Sequence, residues 1–189
     1  MIKKVFKVFT FFALLQVLVY SCCEDAYNVY YEQILFTATD TIDFDASSVA
    51  PDNLALIFNF EYKYIQIAAL LDLDDFVTDA YATTCDEDYF FKDTITDINV
   101  TANETIFDIE SGNSLNNVLQ FINPDTLESQ SMNDLVSYLN ENASGYYYQD
   151  TTLIFNDSLP NDLSIAFHIQ INLEGGRSLE NTTELITIE

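Results

Sequence analysis

Carboxylates are the commonest side chains of this chain that could do chemistry, with 31 Asp and Glu residues among 189. Two carboxylates facing each other across a cleft can hydrolyse glycosidic bonds, and clusters of carboxylate oxygens can hold Ca²⁺. The densest clusters, at residues 72–75 and 86–88, lack the Gly and Glu positions that an EF-hand loop requires. Because acids are spread along the chain, their spacing singles out no catalytic pair. Solvated acidic loops are the simpler interpretation of both clusters.

His168 is the single histidine, and it lies on the polar side of an alternating segment, which is typical of a solvent-facing position. Catalytic triads and zinc sites need partners at set positions, and the sequence around His168 offers none. The sequence also lacks a Gly-x-Ser-x-Gly motif, a phosphate-binding loop and a zinc-protease motif. We therefore predict no catalytic residue, no metal site and no cofactor, and we expect a protein that is not an enzyme.

The first of three cysteines, Cys22, follows a segment with the pattern of a signal peptide. Three lysines lie in the first seven positions, and residues 8–20 form a mostly apolar run of 13 residues. This run is shorter than the roughly 20 residues of a transmembrane helix. The stretch from Leu18 to Cys22 resembles the lipobox of bacterial lipoproteins, and Tyr20 resembles the looser pattern of the Bacteroidetes. The resemblance implies a signal peptide over residues 1–21 and fatty acids, such as palmitate, on Cys22. The alternative is ordinary secretion with an incidental cysteine.

Acidic residues follow the lipidated position within the expected tether, residues 22–27. Glu24 and Asp25, directly after Cys23, resemble the export signal of many surface-exposed Bacteroidetes lipoproteins. The expected location is the outer membrane, with a lipid anchor. The chain faces the cell surface if this signal acts, and the alternative is that the two acids are incidental.

Cys23 and Cys85 are the two thiols that remain if Cys22 is acylated, and the cell envelope is oxidising. A disulfide between them would close a loop of about 60 residues and would stabilise the fold by about 4 kcal/mol in the chain-entropy model. The alternative is a buried free thiol at Cys85.

Five Asp-Ser or Asp-Thr steps, each followed by Ile, Leu or Thr, resemble the O-glycosylation sequon of the same bacteria. About one such triplet is expected by chance from the composition. The resemblance implies glycans on Thr41, Thr94, Thr126, Thr151 and Ser158. Asp-Thr is also a common turn element, which is the alternative explanation.

The charge balance excludes several classes of partner. The formal charge is −25, and without residues 1–21 the chain keeps three basic and 31 acidic groups, a net charge of −28. Nucleic-acid affinity comes mostly from Lys and Arg that neutralise phosphates, so we predict no nucleic-acid partner. The same balance excludes electrostatic docking on an anionic membrane, so the lipid is the expected membrane contact.

Alternation of apolar and polar residues predicts strands along most of the mature chain. The clearest runs from Leu163 to Leu173, and Gly175-Gly176 then supplies a two-residue turn before a strand that ends at 185–188. The other predicted strands cover residues 28–37, 54–68, 90–100, 105–109 and 146–156. Two short amphipathic helices are predicted, one from Ser114 to Pro124 and one that begins at Ser131 and ends near Leu139.

These elements favour one all-β domain over residues 28–189. The expected architecture is an antiparallel, immunoglobulin-like β-sandwich with one or two short crossover helices. Neighbours in a strand face opposite sides, so at least one ring among Tyr30-Tyr31, Phe90-Phe91 and Tyr146-Tyr147-Tyr148 should lie outside. An exposed tyrosine can stack on a sugar or pack at an interface, and packing on an edge strand is the alternative.

Several stretches together resemble small Bacteroidetes lipoproteins of unknown function, a family whose likeness implies a compact β-sandwich and no activity. They are Cys22-Cys23, Ala82 to Cys85, Lys92 to Ile95, the Ser131 helix, and Phe167 to Ile169 with Gly175 to Ser178. Our leading hypothesis is a lipid-anchored binding or assembly module for a glycan or an envelope protein. A carboxylate-based glycosidase is the first alternative. A fimbrial subunit is the second, although such precursors are trimmed after an arginine and Arg177 is the only one.

Overall fold

A computed structural model describes residues 26–41, 48–67, 88–143 and 150–189 of the chain. The chain forms two compact units. The larger comprises Val29–Lys63 and Phe91–Glu189, and the smaller comprises Met1–Asn28 and Tyr64–Phe90. In the described part of the smaller unit, the Tyr89 ring stacks on Tyr27 at 5.6 Å and meets Tyr64 edge-on at 5.8 Å.

The described residues form strands apart from one helix and the connections, so the all-β prediction is confirmed. In chain order the elements are β1 Ala26–Asp40, β2 Ser48–Val49, β3 Leu54–Ile67, β4 Asp88–Phe91, β5 Ile95–Ala102, β6 Leu119–Ile122, β7 Ser129–Ser131, α1 Met132–Glu141, β8 Thr151–Phe155, β9 Leu163–Ile165, β10 Phe167–Leu173, β11 Ser178–Thr182 and β12 Ile186–Ile188. These described strands form three sheets, with the orders β4-β1-β3-β8-β6-β7, β11-β10-β5 and β2-β12-β9. β2 pairs with β12 in parallel, whereas the pairs β10–β11, β10–β5, β12–β9, β3–β8, β6–β7 and β6–β8 are antiparallel.

The core of the larger unit draws apolar side chains from all three sheets. Phe58 of β3, Phe167 of β10 and Ile188 of β12 are each at most 1% exposed and belong to one continuous cluster. In β10 the odd-numbered residues are buried and the even-numbered ones are half-buried, as the alternation predicted. Each sheet therefore contributes its apolar face to the same core.

The C-terminal hairpin is divided between two sheets. Residues 163–173 form two strands, because at Ala166 the backbone N–H turns to the side chain of Asn103, which accepts it at 2.8 Å. β9 pairs with β12 as predicted, whereas β10 pairs with β11 rather than with residues 185–188. Gly175 and Gly176 both have positive φ, +88° and +85°, as the predicted turn requires.

The helix predicted from Ser131 is confirmed. It runs from Met132 to Glu141, and its first turn is closed by a capping box between Ser131 and Asp134. The Ser131 hydroxyl accepts from the Asp134 backbone N–H at 3.3 Å, and the Asp134 carboxylate accepts from the Ser131 N–H at 3.2 Å.

The helix predicted from Ser114 is wrong, since residues 119–122 form strand β6. The apolar residues there suit both periods: Leu115, Val118, Leu119 and Ile122 lie three and four positions apart, as in a helix, whereas Leu119 and Phe121 lie two apart and are both buried, as in a strand. Contacts with β5 favour the extended conformation over the helix. The Leu115 backbone N–H donates to the backbone carbonyl oxygen of Val100 at 2.8 Å. The Asn116 amide completes this pairing by donating to the Ile98 oxygen at 2.6 Å and accepting from Val100 at 3.1 Å.

The strand predicted over residues 105–109 is also wrong. Ile106 and Ile109 exchange two backbone hydrogen bonds, of 3.1 and 2.8 Å, around a tight turn. Phe107 and Asp108 in that turn have φ of +51° and +61°, which is unusual for residues other than glycine. Packing supplies the reason: the Phe107 ring lies 5.9 Å from Phe155 and is held against the core.

Candidate functional site

A cavity of about 240 Å³ opens in the larger unit between strands β1, β3 and β6 and helix α1. Its walls combine aromatic rings with polar side chains. The described lining residues are Tyr31, Phe60, Tyr62, Phe121, Ile122, Pro124, Asp125, Tyr138, Leu139, Asn142, Ala143, Asp150 and Thr151.

Buried rings form the floor of this cavity. Tyr31, Phe60 and Phe121 are 2%, 6% and 0% exposed. Phe60 and Tyr62 share one face of β3, because residues two apart in a strand point the same way. The ring of Tyr31, from neighbouring β1, lies 4.4 Å from the Phe60 ring and 5.6 Å from the Tyr62 ring. These rings provide a rigid apolar surface.

Tyr138 and Asp125 form one side of the rim. Tyr138 of α1 packs 5.7 Å from Phe121 and is half-buried, and Asp125 is exposed. Burial raises the pKa of the Tyr138 phenol, and the negative charge of Asp125 and a hydrogen bond to it raise that pKa further. The phenol is therefore neutral at ordinary pH and donates to the carboxylate.

Asp125 lies in a turn that the side chain of Asn123, two positions earlier, stabilises. Asn123, which is buried, accepts hydrogen bonds on its side-chain oxygen from the Asp125 and Thr126 backbone N–H groups at 2.9 and 3.3 Å. This is the Asx-turn geometry that asparagine favours. The Asn123 backbone N–H donates to the backbone carbonyl oxygen of Glu128 at 2.9 Å, and this hydrogen bond closes the β6–β7 connection.

Asp150 and Asn142 form the opposite side of the rim, and both are exposed. An oxygen of the Asp150 carboxylate accepts from the Asn59 amide at 2.8 Å, and Asn59 lies on the face of β3 opposite to Phe60 and Tyr62. The Asp150 carboxylate is therefore directed away from the cavity rings, and Asp125 is the carboxylate that lies beside a half-buried tyrosine ring in the described walls. A site of this kind can bind a small ligand by stacking and hydrogen bonding.

Two charged side chains form hydrogen bonds with the backbone of Tyr31. The Asp93 carboxylate accepts from the Tyr31 N–H at 2.8 Å and forms an ion pair with Arg177. The Arg177 guanidinium also donates a hydrogen bond to the backbone carbonyl oxygen of Tyr31 at 2.6 Å. The burial alternation of β1 slips by one position at Glu32 and Gln33, both of which are exposed. Asp93 and Arg177 therefore hold the backbone beside this irregularity.

Most of the predicted glycosylation positions are accessible. Thr41, Thr94, Thr126 and Ser158 are exposed. The Ser158 hydroxyl donates to Asp52. Thr151, the fifth position, is half-buried at the start of β8 and lines the cavity.

The remaining predicted sites divide between described and undescribed parts of the chain. Cys22, Cys23 and Cys85 lie outside the described residues, as do the cluster at 72–75, residues 86–87 and Tyr146 to Tyr148. His168 is half-buried rather than fully exposed, and its Nδ1 lies 3.0 Å from the Thr182 hydroxyl. Of the other aromatic candidates, Tyr31 lies in the cavity floor and Phe90 is 46% exposed.

The sequence carries only weak signals for this site. Tyr31 is one of the aromatic candidates, whereas Tyr62 falls within a predicted strand and Tyr138 within the predicted Ser131 helix, and the sequence pattern singles out neither ring. Asp125 and Asp150 belong to Asp-Thr steps. Both belong to connections next to short strands, and the pairing of β6 with β8 brings those connections together.

No family model, curated protein or solved structure matches this chain. In the described part of the chain, no group of three or more His, Cys, Asp or Glu side chains is arranged to hold a metal ion. No helix among the described residues is long and apolar enough to cross a membrane.

Proposed function

We propose that this chain is a lipid-anchored, non-catalytic binding module of the bacterial cell envelope. The observation that carries the proposal is the cavity whose floor is aromatic and whose rim carries Tyr62, Tyr138 and Asp125. Aromatic faces that stack on a ligand, next to a few polar groups that orient it, are typical of small-molecule and sugar sites. The proposed ligand is a single sugar unit or a fragment of similar size from a glycan.

The anchor in this proposal is Cys22, and the proposed location is the outer membrane. The support is the basic start, the apolar run and the lipobox-like stretch that ends at Cys22. Cys22→Ala should abolish membrane association, because the acyl chains would be absent. Detergent phase partitioning of wild type and variant measures it, and a variant that still fractionates with the outer membrane would contradict the anchor.

The immunoglobulin-like arrangement of the sandwich belongs to the same proposal. Its support is the predominance of antiparallel pairs and a core shared by strands of all three sheets. An experimental structure of the mature chain tests it, and sheets that do not face each other across that core would contradict it.

The binding test uses the mature lipoprotein in detergent and a glycan array, followed by titration of the sugars that bind. Tyr62→Ala and Tyr138→Ala each remove one ring from the rim and should weaken binding about tenfold, the upper range for an aromatic contact. Tyr30→Ala is the matched control, because Tyr30 neighbours Tyr31 on β1 and faces the other side. Loss of binding in Tyr30→Ala alone would contradict the cavity as the site.

A further inference from the structure

Three tyrosine rings cluster on one face of the described part of the smaller unit. Tyr89 of β4 stacks on Tyr27 of β1 at 5.6 Å and meets Tyr64 of β3 edge-on at 5.8 Å. Tyr64 is 46% exposed, and the other two rings are half-buried. Tyrosine combines an apolar ring with a polar hydroxyl, so it suits a boundary that is apolar on one side and wet on the other.

The opposite face of the same strands carries exposed apolar side chains. Ile65 and Ile67 alternate with Tyr64 in β3 and therefore point away from the tyrosine rings. Phe90 neighbours Tyr89 in β4 and also points away from them. These three apolar side chains are 45%, 37% and 46% exposed, and exposed apolar patches mark protein or membrane contacts. The two faces together form a surface that we call the sheet end, which consists of Tyr27, Tyr64, Ile65, Ile67, Tyr89 and Phe90.

The lipid anchor of the proposed function lies close to the sheet end along the chain. β1 begins at Ala26, four residues after Cys22, and four residues span at most about 14 Å. Tyr27 of the sheet end follows directly. An acylated Cys22 would therefore keep this ring within about 18 Å of the bilayer surface. Of the partners open to an exposed apolar surface, the bilayer is thus the one that is always within reach.

The charges that border the sheet end in the sequence also suit a membrane surface. Lys63 directly precedes Tyr64, and Lys92 lies two positions after Phe90. These are two of the three basic residues that follow residue 21, whereas residues 64–67 and 89–90 contain no acid. A lysine at a membrane surface can lay its apolar stem along the lipid and keep its ammonium group in water. Aromatic and apolar residues bordered by lysine are typical of segments at such a surface.

Building on the proposed lipid anchor, we infer that the sheet end docks on the bilayer that holds Cys22. The tyrosine rings lie among the lipid headgroups, and the side chains of Ile65, Ile67 and Phe90 reach the start of the acyl region. The contact is apolar and aromatic rather than electrostatic, which suits a mature chain with three basic and 31 acidic groups. The smaller unit then contacts the membrane through protein as well as through lipid.

Tryptophan fluorescence tests this contact, because the sequence contains no tryptophan. Phe90→Trp places one reporter on the sheet end. Leu185→Trp, at a residue that is 64% exposed in the larger unit, is the matched control. Both acylated proteins are reconstituted in phosphatidylcholine vesicles, with and without lipid brominated near the headgroup end of its acyl chains. We expect brominated lipid to quench most of the Phe90→Trp emission at low and at high salt, and to leave the Leu185→Trp emission unchanged.

A second variant and the flotation of the vesicles separate the possible results. Ile65→Ser added to Phe90→Trp should reduce the quenching, because less apolar surface leaves water. Circular dichroism checks that the variants fold, and Ile65→Trp replaces Phe90→Trp as the reporter if the latter does not.

Equal quenching of the two reporters, or none in either, in protein that floats with the vesicles would overturn the docking and leave the anchor standing. Phe90→Trp emission that is blue-shifted but insensitive to brominated lipid would assign the surface to a second copy or to another part of this chain, which also overturns the docking. Protein that does not float with the vesicles would overturn both the anchor and the docking.

Discussion

Arg177 and Tyr31 are 146 positions apart in the chain, yet the Arg177 Nη1 donates to the Tyr31 carbonyl oxygen at 2.6 Å. The same guanidinium pairs with Asp93, whose carboxylate accepts from the Tyr31 N–H. Both backbone polar groups of one β1 residue thus form hydrogen bonds with charged side chains. The planar fork of arginine suits this double contact, because its donors point in fixed directions. This contact fixes the residue whose ring lies in the cavity floor.

Arg177→Ala should lower the free energy of unfolding by about 1–2 kcal/mol. The charged hydrogen bond to Tyr31 and the pairing of the mostly buried Asp93 are both lost, while the exposure of Arg177 limits the cost. Urea unfolding of the two proteins measures the difference. Arg177→Lys should restore only part of it, because an ammonium group cannot donate to both partners in the same geometry. An alanine variant as stable as wild type would show that the contact contributes nothing.

Phe167→Ala should cost about 3–5 kcal/mol, the usual range for a buried phenylalanine. Phe167 is 0% exposed and packs 5.6 Å from the Phe155 ring. His168→Ala, the neighbour on the other face of β10, should cost less than about 1 kcal/mol, because it loses one contact with Thr182. Thermal melting of both variants shows which substitution destabilises the protein more. A larger loss of stability in His168→Ala would mean that β10 buries its even-numbered side chains instead of its odd-numbered ones.

Stability should fall at alkaline pH because of Tyr31. Burial raises the pKa of this phenol well above its usual 10, and the nearby Tyr62 and the negative charge of Asp93 raise it further. The unfolded chain releases this proton near pH 10 while the folded chain keeps it. The stability that the protonated Tyr31 phenol contributes is therefore fully present below pH 10. Above pH 10 the free energy of unfolding falls, by up to about 1.4 kcal/mol per pH unit.

Tyr31→Phe tests this dependence, since it keeps the ring and removes the titrating group. Urea unfolding between pH 9 and about pH 12 should show a shallower loss of stability in the variant than in wild type. Tyr30→Phe, on the opposite face of β1, serves as the control for the general effect of alkali. Equal slopes for all three proteins would mean that Tyr31 ionises in the folded chain as readily as in the unfolded one.

Strand faces could be predicted from the sequence where a single period dominates, as in β3 and β10. Alternation of apolar and polar residues over seven or more positions fits no helix, so it predicts which face of a strand is buried. The residues predicted on that face are buried in the structure: Phe58, Phe60, Phe167 and Ile169. The Ser131 helix was equally predictable, since its capping box is local. The segment at Leu115 was not predictable in this way, because its apolar residues suit two periods and contacts with β5 choose between them.

The cavity depends on still longer-range contacts. Its rim joins Tyr62 of β3 to Tyr138 of α1 and to Asp125 in the β6–β7 connection. Nothing in the local sequence distinguishes Asp125 from the other carboxylates of the chain. Its place on the same cavity as Tyr62 follows from the order of strands β3, β8 and β6 in one sheet, which residue spacing alone does not reveal.

The predicted disulfide between Cys23 and Cys85 stays a prediction, because both residues lie outside the described part of the chain. Non-reducing peptide mapping of the mature protein should recover one cross-linked peptide that contains both cysteines, since the proposed location, the cell envelope, is oxidising. Its reduction should lower the free energy of unfolding by about 4 kcal/mol. Recovery of Cys85 as an alkylated free thiol would contradict the bridge.

The strained turn at Phe107 and Asp108 offers a test of backbone conformation. Asp108 is exposed and has φ of +61°, which costs an L-residue about 1–2 kcal/mol relative to glycine. Asp108→Gly removes this cost but gives the unfolded chain more freedom, so we expect a net gain of up to about 1 kcal/mol. Asp97→Gly is the matched control, because Asp97 is an exposed aspartate inside β5, where glycine should lower stability by about 0.5–1 kcal/mol. Urea unfolding compares the signs of the two changes. If both variants lose stability equally, the left-handed conformation at Asp108 costs the folded chain nothing relative to glycine.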